Sequence, residues 1–99
     1  MSRVISKEIL EVGADAISTL QVPQAALGCY ISLDADIGTN DRLKVCRFWQ
    51  TGDAPTATDG ATLADGGYYE ICTRPNLENF KVIGIEAGLT HRLMIEYYE

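Results

Sequence analysis

Ninety-nine residues are enough for one domain and too few for two separate cores, so the chain reads as a single domain over 1–99. With 46% apolar and 22% charged residues it has the composition of a folded globule rather than a disordered tail. Fourteen acidic against eight basic residues leave a net charge of −6, which disfavours nucleic acid as a partner.

Taken in chain order, residues 1–11 (MSRVISKEILE) are charged throughout, unlike a signal peptide, and no apolar run approaches the roughly 20 residues of a membrane-spanning helix. A cytosolic chain with no membrane partner is therefore expected. Residues 4–12 (VISKEILEV) fit neither the helical nor the strand period cleanly. Ile and Val are poor helix formers and Gly13 closes the segment early, so a strand is predicted. Residues 14–22 (ADAISTLQV) read as extended up to Pro23, and 23–27 (PQAAL) as at most one helical turn. The first 27 residues can thus form either an edge strand or an arm reaching a neighbouring subunit.

From residue 28 the pattern is all-β. Residues 28–33 (GCYISL) alternate Cys29, Ile31 and Leu33 with Tyr30 and Ser32, the period of a half-buried strand. Residues 43–51 (LKVCRFWQT) put Leu43, Val45, Arg47 and Trp49 opposite Lys44, Cys46 and Phe48. Asp65-Gly66-Gly67 reads as a hairpin turn leading into 67–73 (GYYEICT). Pro75 to Phe80 (PNLENF) suits one helical turn, with Pro at a first-turn position. Residues 81–87 (KVIGIEA) set Ile83 and Ile85 inward, and 91–98 (HRLMIEYY) set Leu93, Ile95 and Tyr97 on one face. These last two strands are expected to form a hairpin, with Gly88 at positive φ. With no crossover helix of a dozen residues, the fold is predicted to be an antiparallel β-sandwich or jelly-roll-like barrel of about six to eight short strands. Its core is expected from Ile31, Leu33, Val45, Ile71, Ile83, Ile85, Leu93 and Ile95.

Residues that carry chemistry are few. Cys29, Cys46 and Cys72 are odd in number and widely spaced, which predicts reduced, buried thiols rather than disulfides or a zinc site. The single His91 reads as a surface residue, and no serine lies in a nucleophile elbow. Asp34, Asp36, Asn40 and Asp41 could supply oxygen ligands to Ca²⁺, but they are equally the residues of a solvated turn, and no bidentate Glu follows at EF-hand spacing. No enzyme activity, metal or cofactor is expected.

The aromatic residues say more. Tyr68-Tyr69 and Tyr97-Tyr98 each send one ring to either side of a sheet, more than a single core needs. Outward rings can lie flat with their hydroxyls in water, or they can form a protein contact surface, where Tyr and Trp are favoured anchors. Tyr30, Trp49, Tyr68 and Tyr98 are the predicted contact residues.

The run from Val45 to Gly66 (VCRFWQTGDAPTATDGATLADG) joins a basic-aromatic strand, a Pro-Thr loop and Gly-x-x-Leu-x-x-Gly. Phe80-Lys81-Val82-Ile83 and Leu93-Met94-Ile95-Glu96-Tyr97 follow it. This succession, from about Leu27 to Tyr98, resembles small virion proteins of tailed bacteriophages. The family's turn often reads Asp-Gly where this chain has Gly52-Asp53, and its closing valine is Ile95 here. The resemblance implies a non-enzymatic head decoration (cement) protein, homo-oligomeric, bound to the major capsid protein or another virion protein and located in the virion after assembly in the host cytoplasm. The competing expectation is a carbohydrate- or receptor-binding sandwich of a phage fibre, with Trp49 and the tyrosines as stacking platforms.

Overall fold

A computed structural model describes residues 3–35 and 45–99 of the chain. Its described residues form eight strands and one short helix: β1 (Val4–Val12), β2 (Ser18–Thr19), β3 (Gly28–Asp34), β4 (Val45–Trp49), β5 (Ala61–Ala64), β6 (Tyr68–Cys72), α1 (Arg74–Asn79), β7 (Lys81–Gly84) and β8 (His91–Tyr98). The strands build two four-stranded antiparallel sheets, one in the order β1-β8-β3-β6 and the other β2-β7-β4-β5.

Pairing is nested from the ends inward: β1 with β8, β2 with β7, β3 with β6, β4 with β5. A long antiparallel ribbon of this kind, wrapped around one core, is the eight-stranded jelly roll, one form of the predicted sandwich. The side-chain period of two then decides what faces inward. From the first sheet come Cys29, Ile31, Leu33, Ile71, Leu93, Ile95 and Tyr97; from the second, Cys46, Phe48, Leu63 and Val82. Leu77 of α1 and Phe80 plug one end of the sandwich. Arg74 holds that end in place, its Nη1 lying 2.8, 2.9 and 3.0 Å from the carbonyl oxygens of Pro23, Gln24 and Ala26.

Several expectations are corrected. Residues 81–87 and 91–98 make no hairpin, because β7 and β8 belong to different sheets; Gly88 does have positive φ (79°), but in a connection that crosses the sandwich. The Asp65-Gly66-Gly67 turn likewise carries the chain from β5 to β6 in the opposite sheet, its ends tied by Gly67 N–H to the Ala64 carbonyl and Gly66 N–H to the Leu33 carbonyl. In β7 the buried positions are Val82 and Gly84, and Ile83 is only half-buried, as is Ile85 beyond the strand. Gly84 faces inward because a Cβ there would lie 3.2 Å from the Gly13 carbonyl carbon and 3.4 Å from the Val12 oxygen: main chain fills the place a side chain would take. The side chain of Val45 falls outside the described residues.

His91 is not on the surface but 0% exposed, since it opens β8 facing inward opposite Val12, with its Nε2 3.3 Å from Glu86 Oε1. Cys29 and Cys46 are buried as expected, whereas Cys72 is exposed, on the outer side of an edge strand. Of residues 14–22 only Ser18–Thr19 form a strand, while 23–27 hold the single turn expected there, closed by Ala26 N–H to the Pro23 carbonyl. β1 is an edge strand laddered to β8 over its whole length, so that part of the first 27 residues is not an arm.

The inward and half-buried isoleucines should separate sharply in equilibrium urea unfolding. Ile95→Ala is expected to lose about 2–5 kcal/mol, the range for truncating a core residue, and Ile83→Ala clearly less. Equal losses would mean that β7 faces the other way.

Candidate functional site: the tyrosine-bearing sheet face

The outer face of the first sheet is organised in rows across the strands, because register aligns outward residues from four strands. One row holds Val4, Tyr98, Gly28 and Cys72; the next Lys7, Glu96, Tyr30 and Glu70; a third Ile9, Met94, Ser32 and Tyr68; a last Glu11, Arg92 and Asp34. Arg92 Nη2 is 2.7 Å from Asp34 Oδ2, so one cation of the face is paired. Four carboxylates against two cations nevertheless leave this face acidic.

Three of the four predicted contact residues come together here. Tyr30 stacks on Tyr68, with ring centroids 6.0 Å apart and planes 21° apart, and meets Tyr98 at 5.0 Å. Their exposures differ, however. Tyr68 is 67% exposed while Tyr98 is 8% exposed, its ring laid across the sheet over Gly28. A Cβ at Gly28 would come within 2.4 Å of the Tyr98 ring, so the absence of a side chain in β3 is what lets the ring cross. The crossing carries the phenol to the edge strand, where Tyr98 Oη donates to Glu70 Oε2 at 2.6 Å and lies 3.8 Å from Cys72 Sγ. The hydrogen bond to Glu70 holds the Tyr98 phenol well above the ordinary tyrosine value, with burial adding to the effect.

Trp49 does not join this group. It projects from the outer face of the other sheet, opposite Lys81 in register, and is 37% exposed. Arg47, on the same face, donates to the carbonyls of Ala57 and Gly60 at 3.1 and 2.8 Å, and so pins the Pro55–Gly60 part of the β4–β5 loop. Sequence reasoning missed Ile9 and Val4, which are exposed on the tyrosine-bearing face. The signal that hid them is a bulge between Val4 and Ser6, which breaks the period of two in β1.

At the rim of the sandwich, Tyr97 Oη donates to Glu8 Oε1 at 2.5 Å, and the same oxygen accepts the Gln21 N–H at 3.2 Å. This fixes the inner side of β1 to the segment leading out of β2. Among the described residues no three His, Cys, Asp or Glu side chains gather to hold a metal ion. Asp36, Asn40 and Asp41 of the acidic loop lie outside the described residues, and Asp34 is the partner of Arg92. In chemical terms the face offers stacked phenols, carboxylates and a thiol to a surface laid against it.

Compared with known proteins, the chain matches no family model, no curated protein and no solved structure.

Two measurements check this geometry. Gly28→Ala should displace the Tyr98 ring and lower stability by about 1–3 kcal/mol in urea unfolding, the usual cost of overpacking, and it should raise the quencher accessibility of tyrosine fluorescence. Burial pushes the thiols of Cys29 and Cys46 up to about 12, so under native conditions at mildly alkaline pH a thiol reagent should label Cys72 fast and the other two only on unfolding. Three fast equivalents would contradict the buried positions.

Proposed function

We propose that this protein is a non-enzymatic structural component of a tailed-bacteriophage particle, a head decoration protein that stabilises the capsid through protein contacts made by its tyrosine-bearing sheet face. The observation that carries the reading is the stacked pair Tyr30–Tyr68, presented on the outer face of the first sheet with Tyr68 67% exposed. Rigid aromatic rings lose little conformational freedom on binding and are favoured at the centres of protein interfaces. Jelly rolls serve viral capsid proteins, and also lectins. The acidic balance of the face suits a locally basic partner such as a patch on the major capsid protein.

Tyr98 takes a supporting part in this reading, holding Tyr30 from beneath and anchoring Glu70, while Tyr30 and Tyr68 meet the partner. Co-sedimentation with empty heads of the corresponding phage tests it. Wild type is expected to sediment with the heads, and Tyr68→Ala to weaken binding by about 2 kcal/mol with little change in folding stability. No co-sedimentation of the wild type rejects decoration; unchanged binding of Tyr68→Ala and Tyr30→Ala rejects this face.

The exposure of Trp49 on the opposite face favours a second reading, a carbohydrate-binding module of a phage fibre, since sugar rings stack on exposed indoles. Quenching of Trp49 fluorescence by a panel of host surface glycans, abolished in Trp49→Ala, would support that reading against decoration.

A further inference from the structure

We propose that two copies of this chain join through strand β1, in an antiparallel pair centred on Ile9 that turns the first sheet of each copy into half of one eight-stranded sheet. Among the described residues no strand pairs with β1 on the side away from β8, so this edge of the sheet carries a row of main-chain groups outside any ladder.

The direction of those groups follows from the ladder. Arg3 and Glu99 exchange both main-chain hydrogen bonds, at 3.2 and 2.9 Å. Bonded and non-bonded pairs alternate from there, with one extra residue at the bulge between Val4 and Ser6. Lys7, Ile9 and Glu11 then fall in the non-bonded pairs opposite Glu96, Met94 and Arg92, which turns their N–H and C=O groups outward. The Glu11 carbonyl confirms the direction, since it accepts a hydrogen bond from Ser18 Oγ at 3.2 Å rather than from β8. A carbonyl has a second lone pair and can accept a further donor.

Side chains choose the register. A two-fold axis normal to the sheet keeps both outer faces on the same side, so residues of like parity oppose each other. Centring on Lys7 or on Glu11 sets like charges opposite each other, as does centring on Glu8. Centring on Leu10 puts Ile9 against the partner's Glu11. Only the pair centred on Ile9 sets Lys7 opposite the partner's Glu11, twice by symmetry, with Ile9 against the partner's Ile9.

Neighbouring strands extend this match. One outer row then reads Glu96, Lys7, the partner's Glu11, the partner's Arg92 and the partner's Asp34, alternating in sign throughout. Between the two symmetric copies of that row lies an apolar stripe of Met94 and Ile9 from each subunit, in which Ile9, 58% exposed in the single chain, becomes covered. An edge lysine ordinarily protects a strand against pairing; here the same strand carries the carboxylate that neutralises it in one register and no other.

This inference extends the assembly reading by assigning the contact between copies, and it rests on that reading only for its biological purpose. Sedimentation equilibrium of the full chain, from low to high micromolar concentration, is the test. The wild type is expected to show twice the chain mass. Lys7→Glu and Glu11→Lys should each weaken the dimer about tenfold or more, because like charges then face each other twice. An equimolar mixture of these two variants should recover dimers, since each supplies what the other lacks. Ile9→Asp, which puts two carboxylates on the axis, should be monomeric, with circular dichroism and melting temperature reporting that the fold is intact. A wild type that is monomeric throughout, a dimer indifferent to all three substitutions, or a mixture that fails to recover overturns the proposal. A monomer that still co-sediments with heads leaves the decoration reading standing, whereas a β1 dimer that does not bind them removes that reading alone.

Discussion

Strand β8 is hydrogen-bonded on both flanks, to β1 and to β3, and so ties the first strand of the chain into the same sheet as the last. Leu93, Ile95 and Tyr97 descend from it into the core while Met94, Glu96 and Tyr98 rise on the other side. Because β8 fixes β1 and β3 at once, the inner pairs β2–β7 and β4–β5 have one place left to go, beneath them. Each half of the sandwich thus buries what the other exposes, and neither sheet has a stable meaning without its partner.

The outer face depends on the same register. Tyr98 stands opposite Gly28 and can lie over it, which brings its hydroxyl to Glu70 and its ring against Tyr30. A shift of β8 by one residue would reverse its faces, sending Tyr98 inward and Tyr97 out. The order of the tyrosine face is therefore a product of core packing, and the exposed Tyr68 inherits its position from residues that touch no solvent.

Much of this could be read from residue order. The period of two placed Cys29, Ile31 and Leu33 inward and Tyr30 outward, and the limits of β1 follow from Gly13 and the chemistry of Ile and Val. Where the reading failed, the cause is tertiary. Along 81–87 the larger residues Ile83 and Ile85 suggested the inner face, but the inner place at Gly84 is taken by the backbone of Val12 and Gly13, which no pattern within β7 can reveal. Turn residues announced the reversals at 65–67 and 87–90, the latter beginning earlier, after Gly84, yet turn chemistry is local and does not say whether the chain returns beside its own strand or crosses to the other sheet. As for the site, outward tyrosines were legible from alternation, whereas the covering of Tyr98 depends on a glycine seventy positions earlier in the chain. Burial of His91, by contrast, was within reach of the same alternation, which sets it on the inward face with Leu93, Ile95 and Tyr97.

Nested pairing also has a price in time. Contacts of large sequence separation form slowly, since a long loop must close before any hydrogen bond rewards it. During translation β1 emerges well before its partner β8, and until then its aliphatic residues are unshielded. The charges interleaved among them, Lys7, Glu8 and Glu11, act in that interval as gatekeepers against aggregation. The same short segment thus has to stay apart from other nascent chains before it finds its place at the rim of a finished sheet.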